Sequence, residues 1–101
     1  MDDLKPMHNP PHPGEFISQV YLEPFSVSGL VLAQKLDVSA STLSRVLNGS
    51  SRVSPKMALR LSKTLGRTPE TWLSMQDAYD LWQAHKQVDL RQVHQLTFAS
   101  A

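Results

Sequence analysis

Arg45 stands within one short stretch beside Ala40, Ser41, Thr42 and Ser44. On a helix, Ala40, Ser41, Ser44 and Arg45 point outward and Thr42 flanks them, giving small and polar groups around a single long cation. Such a face can enter the major groove of duplex DNA. There Arg45 can donate two hydrogen bonds to O6 and N7 of guanine, worth about 1–3 kcal/mol of discrimination. Ser41 and Ser44 can bond to several bases and so specify less, while Ala40 suits the methyl group of thymine. A second set of residues frames this stretch and can hold phosphates. Ser28 and Ser39 stand at helix N-termini, Asn48 lies beyond the helix end, and Arg52 and Lys56 follow. Phosphate contacts of this kind fix register and supply most of the salt-dependent affinity.

The distribution of charge points the same way. Seven of the ten Lys and Arg residues fall between Gly29 and Arg67 against a single acid, Asp37, which gives that stretch +6. Residues 1–28 carry −3 and residues 68–101 carry −2, so the chain's formal +1 conceals a basic centre between acidic ends. Residues 39–44 could also be the caps and surface of a plain helical bundle. A plain bundle, however, has no reason to sort its bases by segment, and a basic, small-helix segment is the electrostatic footprint of a DNA-binding domain. Arg60 and Lys63 fit the solvated outer face of a helix and are not assigned to DNA.

Other chemistries find little support. His8 and His12 have the four-residue spacing of a helical metal pair, but Pro10 and Pro11 lie between them and no third ligand is evident. Asp77 and Asp80 fit the polar edge of a helix better than a carboxylate pair, which would need a cleft to work in. With no cysteine, no nucleophile elbow and no phosphate loop, neither an enzyme nor a cofactor or metal is expected. No run approaches the ~20 apolar residues of a membrane-spanning helix. The N-terminus lacks the basic-then-apolar pattern of a signal peptide, so a cytoplasmic protein with no membrane partner is expected.

These residues must be positioned by short helices. One hundred and one residues suffice for one all-α domain with a single core. Four of the seven prolines fall in residues 1–13, so residues 1–12 read as a flexible arm. The domain proper spans 13–87. A first helix opens at Pro13 and runs to about Glu23, burying Phe16, Val20 and Ile17. Ser28 caps a second, Gly29 to Leu36, and Asp37 and Val38 make a turn. Ser39 caps a third, Ala40 to Leu47, which Asn48 and Gly49 end. Ser54 and Pro55 open a fourth that stops at Gly66, and Thr68 and Pro69 open a fifth that ends near Lys86. Its Trp72, Met75, Tyr79 and Trp82 lie on one face and read as core. The tail, 88–101, suits a short strand or a frayed helix. Trp82, Val88, Leu90 and Val93 are the expected contacts of a symmetric dimer, which would set two recognition helices about 34 Å apart on a palindromic site.

Gly29 to Asn48 form a twenty-residue unit with apolar residues at Leu32, Leu36, Val38, Leu43 and Val46 and a small residue, Ala33, where two helices cross steeply. Three stretches resemble those of HigA-type antitoxins, a branch of the lambda-repressor-like (XRE) helix-turn-helix proteins. They are His12-Pro13-Gly14-Glu15-Phe16, the run from Val38 to Gly49, and Ala58-Leu59-Arg60-Leu61-Ser62-Lys63. The most particular to the branch is a fourth, Trp72-Leu73-Ser74-Met75-Gln76 with Tyr79-Asp80-Leu81-Trp82. The resemblance covers residues 7–82. It implies a five-helix dimeric repressor that neutralises a small RNA-cleaving, HigB-like toxin and represses the operon encoding both. It also implies base contacts from Ser39, Ser41 and Arg45 and phosphate contacts from Asn48 and Arg52. A stand-alone or prophage-type regulator without a toxin is the alternative on the same scaffold. Two residues depart from the family pattern. Gly29 stands where many relatives place a phosphate-gripping glutamine, and Asp37 stands where glycine is usual in the turn. Both imply weaker binding per monomer and more reliance on dimerisation. Met7 is a possible alternative start.

Overall fold

Each of the five helices opens on a side chain that accepts a hydrogen bond from the backbone of its own first turn. His12 Nδ1 accepts from Gly14 N at 2.9 Å, and the Oγ atoms of Ser28, Ser39 and Ser54 accept from Val31, Thr42 and Met57. Thr68 Oγ1 does the same for Thr71. Proline fills the first helical position after His12, Ser54 and Thr68, where its missing N–H costs nothing and its fixed φ suits the helix. The computed structural model describes residues 9–99. Its helices are α1 (Pro13–Ile17), which runs directly into a π-helical turn (Ser18–Leu22), α2 (Gly29–Leu36), α3 (Ala40–Leu47), α4 (Pro55–Leu65) and α5 (Pro69–Gln87). No strand occurs among the described residues. The fold is all-α, as the sequence predicts.

The π turn corrects the expected stripe of the first helix. An unbroken α-helix places Val20 under Phe16 and Ile17, but the turn closes i→i+5 bonds, such as Glu23 N to Ser18 O at 2.9 Å. Residues five apart then share a face. Ile17 and Leu22 are buried, Phe16 is half-buried and Val20 faces outward.

α2 and α3 pack with Ala33 buried between them and Leu32, Leu36, Leu43 and Val46 in the core. The turn joining them rests on Asp37, which adopts the left-handed conformation (φ 60°, ψ 47°) and donates its N–H to the carbonyls of Ala33 and Gln34. Glycine suits that conformation best, and Asp is among the few other residues that tolerate it. Arg60 of α4 donates to the carbonyls of Leu36 (2.8 Å) and Asp37 (3.0 Å), so it secures the turn rather than solvating its own helix. At the end of α3 only Gly49 takes a positive φ (84°). Asn48 keeps φ −92°, and its Oδ1 accepts from Ser50 N at 3.0 Å.

Trp72 anchors α5. It is fully buried, donates from Nε1 to Gly66 O at 2.9 Å, and meets Phe16 edge-on and Tyr21 at a tilt. The expected apolar stripe is fully buried only at that first turn; Met75, Tyr79 and Trp82 are half-buried. The second fully buried position of α5 is polar, Gln76. Beyond α5, residues 88–99 form neither the strand nor the helix that their sequence allows, apart from a turn closed by Val93 N to Leu90 O at 3.0 Å. At the other end, Pro10 and His12 are buried, so residues 9–12 of the expected arm lie against the helical body. Residues 1–8 of that arm, with His8 and Met7, lie outside the described residues, so the His8–His12 pair falls there too.

Candidate nucleic-acid interface

α3 presents two distinct faces. Leu43 and Val46 are buried, while Ala40, Ser41, Ser44 and Arg45 are exposed and Thr42 is half-buried. The helix is seated from behind by Gly14. A Cβ at that position would overlap Val46 O and stand 2.8 Å from both Leu47 Cα and Leu47 O, so only glycine lets α1 approach this closely. His12 completes the seat. Its ring meets Tyr79 edge-on at 5.0 Å, and burial lowers its pKa from the ordinary value, an effect that Asp80, the Ser51 backbone and Glu15 partly oppose. A neutral imidazole is what the cap requires, because Nδ1 must accept the Gly14 N–H.

At the N-terminus of α3 three hydroxyls form a connected group. Ser39 Oγ donates to Thr42 Oγ1 at 2.8 Å and lies 3.3 Å from Ser41 Oγ. Thr42 is thereby drawn into the cap, which leaves Ser41, Ser44, Ala40 and Arg45 as the open surface. The Arg45 carbonyl accepts from Ser51 N at 2.9 Å, but its side chain makes no hydrogen bond or ion pair among the described residues. It stands as a free guanidinium in the last turn of an exposed helix face.

The residues expected at phosphate occupy more varied settings. The Oγ atoms of Ser28 and Ser39 are engaged in capping, so the contact they can offer a phosphate comes chiefly from the backbone N–H groups of α2 and α3. Asn48 Oδ1 accepts from Ser50, which leaves its amide group facing solvent. Lys56, in the first turn of α4, is exposed. Arg52 is held by α5, with Nε and Nη2 donating to Asp80 Oδ2 at 3.2 and 2.8 Å and Nη2 also donating to Asp77 Oδ1 at 3.3 Å. The hydrogen bond and charge of Asp80, then Asp77, raise its pKa. Asp77 and Asp80 thus sit on the polar edge of α5, as expected, and partner a cation.

Gly29 leaves a notch of about 260 Å³ between the start of α2 and the open face of α3, lined by Leu30, Ala40, Leu43, Ser44 and Leu47. A Cβ on Gly29 would meet only Leu47 Cδ1, at an ordinary 3.5 Å. Two residues near the site have no sequence-level assignment. Gln76 accepts from Val53 N at 2.7 Å and donates to Asp80 Oδ1 at 3.0 Å, and His12 caps α1. Gln76 does carry one signal in the sequence, since it lies four residues after Trp72 on the same face of α5.

A family model described as helix-turn-helix matches residues 27–73, from just before α2 into α5. Antitoxin HigA-1 of Vibrio cholerae is 37% identical over 78 residues, which cover 77% of this chain and 73% of that protein. The chain belongs to the HigA antitoxin family. Its backbone agrees with that of a second antitoxin: GraA in complex with its operator matches at a TM-score of 0.82 and 37% identity, over 95% of this chain and 99% of GraA. An Escherichia coli relative of this HigA-family chain is described as the uncharacterized HTH-type transcriptional regulator YddM. It is 38% identical over 90 residues, covering 89% of this chain and 95% of that one.

Proposed function

We propose that this chain is the antitoxin of a type II toxin–antitoxin pair, a dimeric repressor that binds a palindromic operator in its own promoter and neutralises a HigB-like, RNA-cleaving toxin. The observation that carries the DNA-binding part is the open face of α3, with the Arg45 side chain exposed in its last turn and unengaged among the described residues. Ala40, Ser41, Ser44 and Arg45 read bases, Thr42 flanks them, and the N-termini of α2 and α3 (Ser28, Ser39) with Asn48, Arg52 and Lys56 hold phosphates. The operator complex of GraA supports this reading, because the two backbones superpose over nearly their whole length at 37% sequence identity. The chain does no chemistry of its own and works in the cytoplasm.

Dimerisation draws on the far end of α5 and the tail. Val88, Leu90 and Val93 are exposed apolar residues there, beside the half-buried Trp82. Scattered exposed leucines and valines are ordinary, but this stretch also includes Leu81, Leu96 and Phe98, the last 82% exposed.

The test is an anisotropy titration of the purified chain against its own upstream DNA, with random duplex as competitor, over a range of salt. Selective binding that weakens with salt supports the repressor. Binding no tighter than to random duplex overturns it. Copurification with the product of an adjacent reading frame tests the toxin. Its absence favours the second reading, a stand-alone or prophage-type regulator, which the description of YddM as a transcriptional regulator supports.

A further inference from the structure

We infer that Asp80 is a positioning residue for DNA binding: it holds the Arg52 guanidinium so that Nη1 is presented to a backbone phosphate. The inference rests on the reading of Arg52 as a phosphate contact. Both ends of Arg52 are fixed by one chain of hydrogen bonds. Asp80 Oδ2 accepts from Nε (3.2 Å) and Nη2 (2.8 Å), and Asp80 Oδ1 accepts from Gln76 Nε2 (3.0 Å). Gln76 Oε1 in turn accepts from the N–H of Val53 (2.7 Å), the residue next to Arg52. Gln76 is only 1% exposed and Val53 is fully buried, so the loop carrying Arg52 is anchored in the core. Asp77 takes a further bond from Nη2 at 3.3 Å. The one guanidinium nitrogen without a partner among the described residues is Nη1, which carries two N–H groups.

Stability does not account for this arrangement. The Arg52 side chain is 52% exposed, Asp80 43% and Asp77 75%, and ion pairs of that exposure contribute little to folding. Binding is another matter. A long side chain must lose its rotamer freedom when it grips a phosphate, and a side chain already held in place loses less. The same cluster has two carboxylates for one guanidinium and is negative on balance, so Coulomb repulsion alone opposes a phosphate there. Positioning and charge therefore predict opposite signs for the removal of Asp80.

Asp80→Asn, Arg52→Ala and the double variant, each in the full chain, decide between them by titration against the chain's own upstream DNA. Asp80→Asn keeps an oxygen for Gln76, and an unchanged melting temperature verifies the fold. The expected result is operator binding weakened roughly threefold to tenfold, the lower part of the range for groups in contact. A salt slope shallower by about one should accompany it. In the Arg52→Ala background the same change should no longer weaken binding. Asp77→Asn, at an exposed residue, should shift binding in the same direction by less. Asp80→Asn tightening binding equally in both backgrounds overturns the positioning role and leaves the phosphate contact standing. Arg52→Ala without loss of affinity removes the phosphate contact, and the positioning role with it.

Discussion

The carbonyl oxygen of Val46 occupies the space that a Cβ on Gly14 would need. The first helix therefore docks on the end of α3 through bare backbone, and a side chain at position 14 cannot be placed without a shift. Gly14→Ala should cost about 1–3 kcal/mol, the usual penalty of overpacking, and lower Tm by roughly 5–20 °C. Thermal unfolding followed by circular dichroism measures it. A variant that melts with the wild type would show that α1 and α3 separate more easily than this contact implies.

Arg45 is the cation of α3 proposed here to read bases. Arg45→Ala should lose about 1–3 kcal/mol on operator and little on random duplex. Equal losses on both would reassign Arg45 to phosphate. Arg52→Ala should instead weaken binding to all sequences alike.

Gly29 opens the notch beside α3, and the space around it admits a side chain. Gly29→Gln should restore the phosphate grip implied by the family resemblance and tighten binding to any duplex by about 1 kcal/mol. That is less than the ~1.5–3 kcal/mol of a full hydrogen bond to a charged group, because the longer side chain loses rotamer freedom. Unchanged affinity with an intact fold would mean that no phosphate passes the start of α2.

His12 makes stability depend on pH. Its pKa is lowered in the folded chain by burial, so the unfolded chain binds the proton more tightly. Its contribution is complete above about pH 6.5, the ordinary histidine value, and is lost as pH falls toward the lowered folded value. His12→Asn keeps a capping side chain without a titrating ring. Denaturant unfolding between pH 5 and pH 8 should show a shallower acid loss for the variant than for the wild type. Identical slopes would exclude His12 as the source.

The helix starts were legible because their signals are local. Ser54-Pro55 and Thr68-Pro69 announce α4 and α5 within two residues, and the outward set on α3 follows from helical spacing alone. What could not be read depends on partners distant in sequence or on a change of period. The π turn moves the buried position from Val20 to Leu22, and nothing in the sequence marks where i→i+4 gives way to i→i+5. Arg52 was recognisable as a cation, but its carboxylates lie 25 and 28 residues away on another helix. Gln76 is a polar residue on an apolar face, and its reason is the Val53 N–H, which becomes an orphan only once the loop folds back. Val53 escaped notice because it lies between helices, where no periodicity marks it as core.

Side-chain caps at all five helix starts also bear on speed. Every one of these hydrogen bonds spans two or three residues, so each helix can begin without waiting for the rest of the chain. Small helical domains built on such near-neighbour contacts fold in microseconds to milliseconds. Ribosomes add about 5–20 residues per second, so a partner of similar length needs roughly 5–20 s to be made. A chain translated first would be in its binding-competent form long before the partner left the ribosome.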